Sequence, residues 1–363
     1  MKLVPILALF VPALVIPAAA SAETGYDGGF FVEGEKGDST FKLRLNGRLQ
    51  TRLTLEMFEA DDKDAEIALA LQRARIGFEG HLFSKDLTYK FQADFGGGKV
   101  GLKDYYWNYA FTERVQLRAG QWKKPFSRQQ ITSSGKLELV DRASTDKAFG
   151  AGRDIGLLLH NDYEEVEGLE WAVGVFNGAG ENVVPDVWQP LGIVRLGYGN
   201  FGKARYSEGD LECADKPEAC GLRWAVAATV TADGSMPKDG SEGQVVSELD
   251  FVLKASGFAL TGAFFVDYNL GADDAGGGMD KLGFYAQASY YLPGPQLLPA
   301  LRFASVMPDD DAVATTREAT LGLSYLPRKH NVKWQTDATM LMSELGDTSS
   351  TDWLIRTQVQ LAF

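Results

Sequence analysis

Two cysteines and three histidines are all that the 363 residues contain, and that scarcity removes most metal chemistry. His81, His160 and His330 lie far apart, and Cys213 and Cys220 stand alone in the run LECADKPEACG, so no zinc or iron–sulfur spacing is present. Long apolar runs are lacking too. The one stretch able to cross a membrane as a helix, Leu3 to Pro17, sits at the N-terminus behind Lys2 and ends in Ala20-Ser21-Ala22. It reads as a secretory signal spanning 1–22, and Pro5, Pro12 and Pro17 argue against a helical anchor. A bundle of membrane helices is excluded. So is the basic surface of a nucleic-acid binder, because 36 Lys and Arg face 49 Asp and Glu for a net charge of -13.

Catalytic motifs are equally thin. Gly150-Ala151-Gly152 with Gly156 has no strand before it and no helix after it to cradle a dinucleotide. Lys99 and Lys136 are not followed by the Ser or Thr that a nucleotide P-loop needs. No enzyme and no metal or organic cofactor is expected. Export does give the cysteines a role: an oxidising compartment lets Cys213 and Cys220 close a small disulfide loop, with free thiols or a metal as alternatives. That loop is expected to lie in a short-side turn, away from the strand walls.

What is present is a period of two. Between Phe41 and Leu55 the residues Phe41, Leu43, Leu45, Leu49, Leu53 and Leu55 share one face, and Lys42, Arg44, Arg48, Gln50 and Arg52 share the other. Only a strand separates these sets. The alternation returns at 73–82, 87–95, 105–111 and 115–121, then near 154–161, 169–177, 188–199, 222–232, 246–255, 258–269, 281–292, 296–307, 316–327, 331–343 and 353–363. Sixteen strands result, with short and generally longer connections alternating, which is the plan of a transmembrane β-barrel. The insert 202–221 breaks that alternation on the short side. Residues 23–39 are Gly-rich and polar with no fold signal, and are expected to be a periplasmic segment ahead of a barrel at 40–363. The last run alternates and ends on Phe363, which resembles the C-terminal signal of bacterial outer-membrane barrels.

Parity follows from cost. With leucines towards lipid, Arg44, Arg48, Arg52, Arg73, Arg75, Lys90, Asp94 and Arg118 point into the lumen, whereas the opposite parity places each base in hydrocarbon at about 2–4 kcal/mol near the midplane. Asp94 is expected to pair with Lys90 or Arg75. Acids concentrate in connections, such as Asp61-Asp62, Asp273-Asp274 and Asp309 to Asp311. One long connection differs: 124–152 has no clean helical or strand period and carries or adjoins Lys123, Lys124, Arg128, Lys136, Arg142, Lys147 and Arg153. Loops of that length are usually functional or disordered.

LRAGQWKKPFS (117–127), the long loop and GRDIGLLL (152–159) resemble the corresponding region of the phosphate-selective porins O and P. FQADFGGGKVGLKDYYWNY (91–109), HNVKWQTDATM (330–340) and the closing RTQVQLAF are similar to further segments of that family. The resemblance implies a sixteen-stranded homotrimer in the outer membrane whose third external loop folds into the lumen. It implies passage of small anions, phosphate among them. A weakly selective diffusion porin is the alternative, because lumen bases can be neutralised by neighbouring acids, and a structural or adhesive barrel is the alternative of another class. The insert 202–221 matches nothing in the family.

Overall fold

The computed structural model describes residues 22–59, 64–150, 152–202, 204–213, 221–233, 243–271 and 277–363. The expected signal, Asp61, Asp62, Asp273, Asp274 and Cys220 lie outside these residues. Sixteen antiparallel strands close into a barrel, beginning with β3 (Ser39–Met57) and ending with β18 (Thr348–Ala362). β18 pairs back onto β3 from Trp353↔Met57 to Ala362↔Arg48. Mutual backbone bonds between Gly47 and Phe363, at 2.9 and 3.0 Å, finish the seam. Gly47 is needed there, since an added Cβ would stand 2.6 Å from the Phe363 ring.

β4 (Glu66–Asp94) is a hairpin of two barrel strands. Its first limb pairs with β3 as far as Phe83, its second pairs with β5 (Gly101–Thr112) from Leu87, and Phe83 takes a left-handed φ of 66° at the fold. Ile67 to Gln72, absent from the sequence-based strands, extends the first limb. The chain continues through β6 (Val115–Lys123), β7 (Arg153–His160), β8 (Gly168–Phe176), β9 (Leu191–Gly199) and β10 (Arg223–Asp233). It then follows β11 (Gln244–Ala255), β12 (Phe258–Asn269), β13 (Gly278–Tyr290), β14 (Leu297–Pro308), β15 (Thr315–Tyr325) and β17 (Val332–Leu345), with a short β16 (Pro327–His330) in one turn.

Residues 23–39 correct the sequence reading. They are not featureless: β1 (Ala22–Tyr26) and β2 (Phe30–Lys36) form a hairpin, and β2 pairs with residues 39–45 of β3, below the seam. Glycines and alternating partial burial hide these strands from a periodicity argument.

The two faces of the wall differ as the parity argument requires. Leu53, Ile76, Leu157, Val194, Leu301, Leu321 and Val359 are exposed on the outside, while Gln50, Arg52, Glu170, Arg195, Asp250, Arg302 and Lys333 are buried inside. Tyr198 with Trp224, Phe258 with Tyr290, and Tyr325 with Trp334 meet across strand pairs at the short-turn end. Exposed aromatics at strand ends fit the interface between lipid and water. The apolar core lies inside the barrel: Phe149 stacks on Phe265 at 5.0 Å, and Phe126 packs on the same ring at 6.0 Å.

Candidate functional site

Residues 124–150 supply that interior core. The segment holds two short helices, α1 (Arg128–Ile131) and α2 (Ser144–Ala148), and its backbone groups bond inward-facing wall residues around the barrel. Glu248 accepts from the N–H groups of Ser127 and Arg128 at 2.8 and 3.0 Å, Glu318 from that of Ser144 at 2.7 Å, and Asp337 from that of Val140 at 2.9 Å. Gln335 donates to the carbonyls of Leu137, Glu138 and Leu139. These wall residues sit on β11, β15 and β17, so the segment crosses the interior. Polar inward rows and a polar-backboned loop satisfy each other, as buried backbone groups must.

A second segment enters from the opposite end. Residues 204–213 lie between β9 and β10, a short-side connection, yet Arg205, Tyr206, Glu208, Asp210 and Cys213 are buried. Arg205 pairs with Glu170 of β8 at 2.5 Å, and Lys254 of β11 donates to the carbonyls of Ala204 and Ser207. The charged and aromatic residues of 204–213 thus have partners on the inner wall, while the expectation that the disulfide loop stays clear of the walls concerns residues 214–220, which lie outside the described residues. Cys213 is disulfide-bonded.

Together the two segments fill the side of the barrel bounded by β8 to β15. There a buried ionic chain links Glu170, Arg195, Asp250 and Arg128, with contacts of 2.8, 2.7 and 2.5 Å. Space remains along β3 to β7. A cavity of about 620 Å³ at the short-turn end is lined by Arg44, Arg48, Arg75 and Lys136 among others. A narrower one of about 110 Å³ adds Asp104, Lys123 and Arg153. The two share Arg75, Lys90, Gln92, Tyr106, Ile131 and Ser133, so they adjoin as vestibule and neck.

Charge along this path is uneven. Eight Lys and Arg line the two cavities against five Asp and Glu. Several bases are matched: Arg44 with Glu79, Arg75 with Asp94 at 2.7 Å, Arg118 with Glu164 at 3.1 Å, Arg153 with Asp104 at 2.8 Å, and Lys90 between Glu79 and Asp104. Among the described residues, Arg48, Lys123 and Lys136 meet no carboxylate at ion-pair distance. Arg48 donates instead to the hydroxyls of Ser133 and Ser134, both at 3.0 Å, and Lys123 to the carbonyls of Ile131 and Thr132. For Arg48, neutral hydroxyl acceptors orient the guanidinium without cancelling its charge.

The remaining bases lie elsewhere. Arg52 and Arg73 converge on Asp141, whose carboxyl is opposed by burial but held down at about 2 by the guanidiniums of Arg52 and Arg73. Arg142 bonds the carbonyls of Gln129 and Thr132 within its own loop. Lys147 is exposed on α2, and Lys124 is buried away from both cavities. Arg128, counted among the path residues from sequence, is locked against Asp250 in the filled half. Ser133, Ser134 and Gln92 carry no charge and were invisible to a charge argument, as were Ala204 and Tyr206, which line the vestibule from an insert with no family counterpart. The density of Phe, Tyr and paired charges in 201–212 was the available signal, since a solvated turn needs none of it.

This geometry is that of a filled barrel with a basic conduit, and its sequence has a counterpart. Residues 43–182 match the phosphate-selective porin O and P family. Over that stretch the chain is similar to the family, and its sixteen-stranded barrel has the porin fold. Solved structures carry the same fold over nearly their whole lengths. The outer membrane channel DcaP of Acinetobacter baumannii aligns over 91% of this chain and 99% of its own, with a TM-score of 0.61 and 13% identity. An anion-selective porin from Comamonas acidovorans aligns over 88% and 100%, with a TM-score of 0.61 and 12% identity. OmpT of Vibrio cholerae, in its trimer form, aligns over 88% and 99%, with a TM-score of 0.55 and 10% identity. At these identities the porin likeness extends to fold alone. No curated sequence relative matches the chain.

Proposed function

We propose that this porin passes small anions, with oxyanions such as phosphate as the preferred class, by passive diffusion along the β3 to β7 side of its lumen. The observation that carries the reading is the excess of bases over acids on the conduit, concentrated in Arg48, Lys123 and Lys136. A guanidinium held by hydroxyl acceptors keeps its charge available to a passing anion, and a site that binds weakly in several places lets it leave again. The family match and the anion-selective porin of the same fold support this preference. The path residues proposed are Arg48, Arg75, Lys123, Lys136 and Arg153, with Arg128 removed. Export by the N-terminal signal, a Cys213–Cys220 disulfide and a homotrimer belong to the same reading.

A reversal potential in a potassium chloride gradient across a planar bilayer tests it, with phosphate added to compete for the path. Anion preference and a concentration-dependent phosphate block of chloride current are expected. Cation preference overturns the proposal and leaves a weakly selective pore, a reading that the acids Glu79, Asp104 and Glu164 on the same path favour.

A further inference from the structure

We infer that Glu208, on the insert that enters from the short-turn end, is a positioning residue that sets the bore of the conduit. Its carboxylate accepts from the side chain of Gln129 at 3.2 Å and from the backbone N–H of Glu138 at 2.9 Å. Those two residues stand at the base of the turn 130–137, and that turn carries Ile131, Ser133, Gly135 and Lys136 to the edge of the vestibule. Glu208 therefore ties both limbs of the turn together. It is itself fixed from the wall by Gln287, which donates to it at 3.0 Å, and its own backbone N–H donates to the Lys136 carbonyl at 3.0 Å. His330, on the opposite side, lies 3.1 Å from the Glu208 carbonyl.

The arrangement is more than filler. A plug that only occupied volume would be apolar and would not reach across to a loop from the other end of the barrel. Here one buried carboxylate closes a ring of hydrogen bonds through the loop, and hydrogen bonds to a charged group are stronger than neutral ones and costly to break when buried. Without it each limb keeps its own contacts, Gln129 to Arg142 and Leu137 and Glu138 to Gln335, but the side-chain link that Glu208 makes between the two limbs is lost. The tip then moves relative to Arg75 and Gln92, which bound the path on the wall side.

Single-channel recording in planar bilayers tests the clamp. Glu208→Ala should raise the open conductance by at least about 1.5-fold and add open-channel noise, since pore dimensions set conduction. Glu208→Gln, which keeps the shape and one acceptor oxygen but puts an NH2 where the other oxygen accepts, should give a conductance between the parent and Glu208→Ala. Gln129→Ala removes one limb's tie only and should move conductance in the same direction by less. Heat-dependent gel migration reports whether each variant forms the barrel. The inference fails if Glu208→Ala folds and conducts as the parent does. It also fails if Glu208→Ala does not fold and Gln129→Ala conducts as the parent does. The clamp rests on the conduit and not on its charge preference: conductance reads the clamp and the reversal potential reads the preference, so either can fail alone.

Discussion

Neutralising Arg48, Lys123 and Lys136 together, as glutamines, is the sharpest test of the charge on the conduit. Lys123 lines the neck of about 110 Å³ and Arg48 and Lys136 line the vestibule; about 7 Å is taken as the working separation between a passing anion and each nitrogen. At an effective dielectric constant of about 40, one unit charge at about 7 Å contributes about 1.2 kcal/mol. Screening over a Debye length of about 8 Å reduces that to about 0.5 kcal/mol. Three such charges sum to about 1.5 kcal/mol, and each 1.4 kcal/mol or so is about tenfold in partition. Cations experience the opposite sign, so the anion-to-cation permeability ratio should fall by about tenfold or more. Asp309, Asp310 and Asp311 occupy the connection after β14 and line neither cavity, so replacing them with asparagine should change the ratio by less than about twofold. The assay is the reversal potential at fixed salt gradient, repeated at low and high ionic strength. If the triple variant inserts with parental selectivity, or if the rim variant shifts the ratio more, the assignment of charge to this path is refuted.

The filled half makes different predictions. Arg128 and Asp250 are both buried and in contact at 2.5 Å. Asp250→Asn, which leaves the guanidinium short of a counter-charge, should therefore cost about 3–5 kcal/mol and lower the temperature at which the folded band is lost on gels. Replacing both residues with apolar ones of similar size should recover much of that loss. Truncating Phe363 to alanine removes the ring packed on Gly47 at the seam and should lower the yield of folded barrel, read as the fraction of heat-modifiable protein. Burial and the nearby Glu208 carboxylate push the Glu138 carboxyl up to about 7. Its proton is thus held more tightly when folded than when unfolded. The stability that this contributes is complete below about pH 4.5, declines as pH rises, and is gone above about 7. Thermal stability should fall across that window in the parent and stay flatter in Glu138→Gln.

The barrel was legible because its wall obeys one rule repeated sixteen times. Where lipid lies on one side and water or polar segments on the other, alternation such as Leu49-Gln50-Thr51-Arg52-Leu53 has a single reading, and most strand ends fall close to expectation, the start of β4 at Glu66 being the main exception. The interior was less legible because it obeys no period. Arg128 and Arg48 look alike as symbols in a basic stretch and on a strand. Only the fold shows that Asp250, over a hundred residues away, cancels one, while Ser133 and Ser134 merely orient the other. The inward course of 204–213 was not legible for the same reason: connection length tells which end of the barrel a segment leaves from, not whether it turns outward or in. The hairpin of β1 and β2 was missed because its partner, the first half of β3, extends past the seam where β18 stops.

That seam has a consequence for how the barrel is made. Gln360 on β18 donates to the carbonyl of Gly135 in the loop and accepts from Gln50 on β3, while Arg52 on β3 bridges Gln358 on β18 and the carbonyl of Val140. The residues that join the last strand to the first are the same residues that hold the loop. Zipping the final strand and seating the loop are thus one cooperative event, and a barrel sealed around an empty lumen would leave those glutamines and arginines facing each other with nothing between them. Closing the wall and filling the lumen therefore draw on the same side chains, so a variant that cannot seat its loop also loosens its seam.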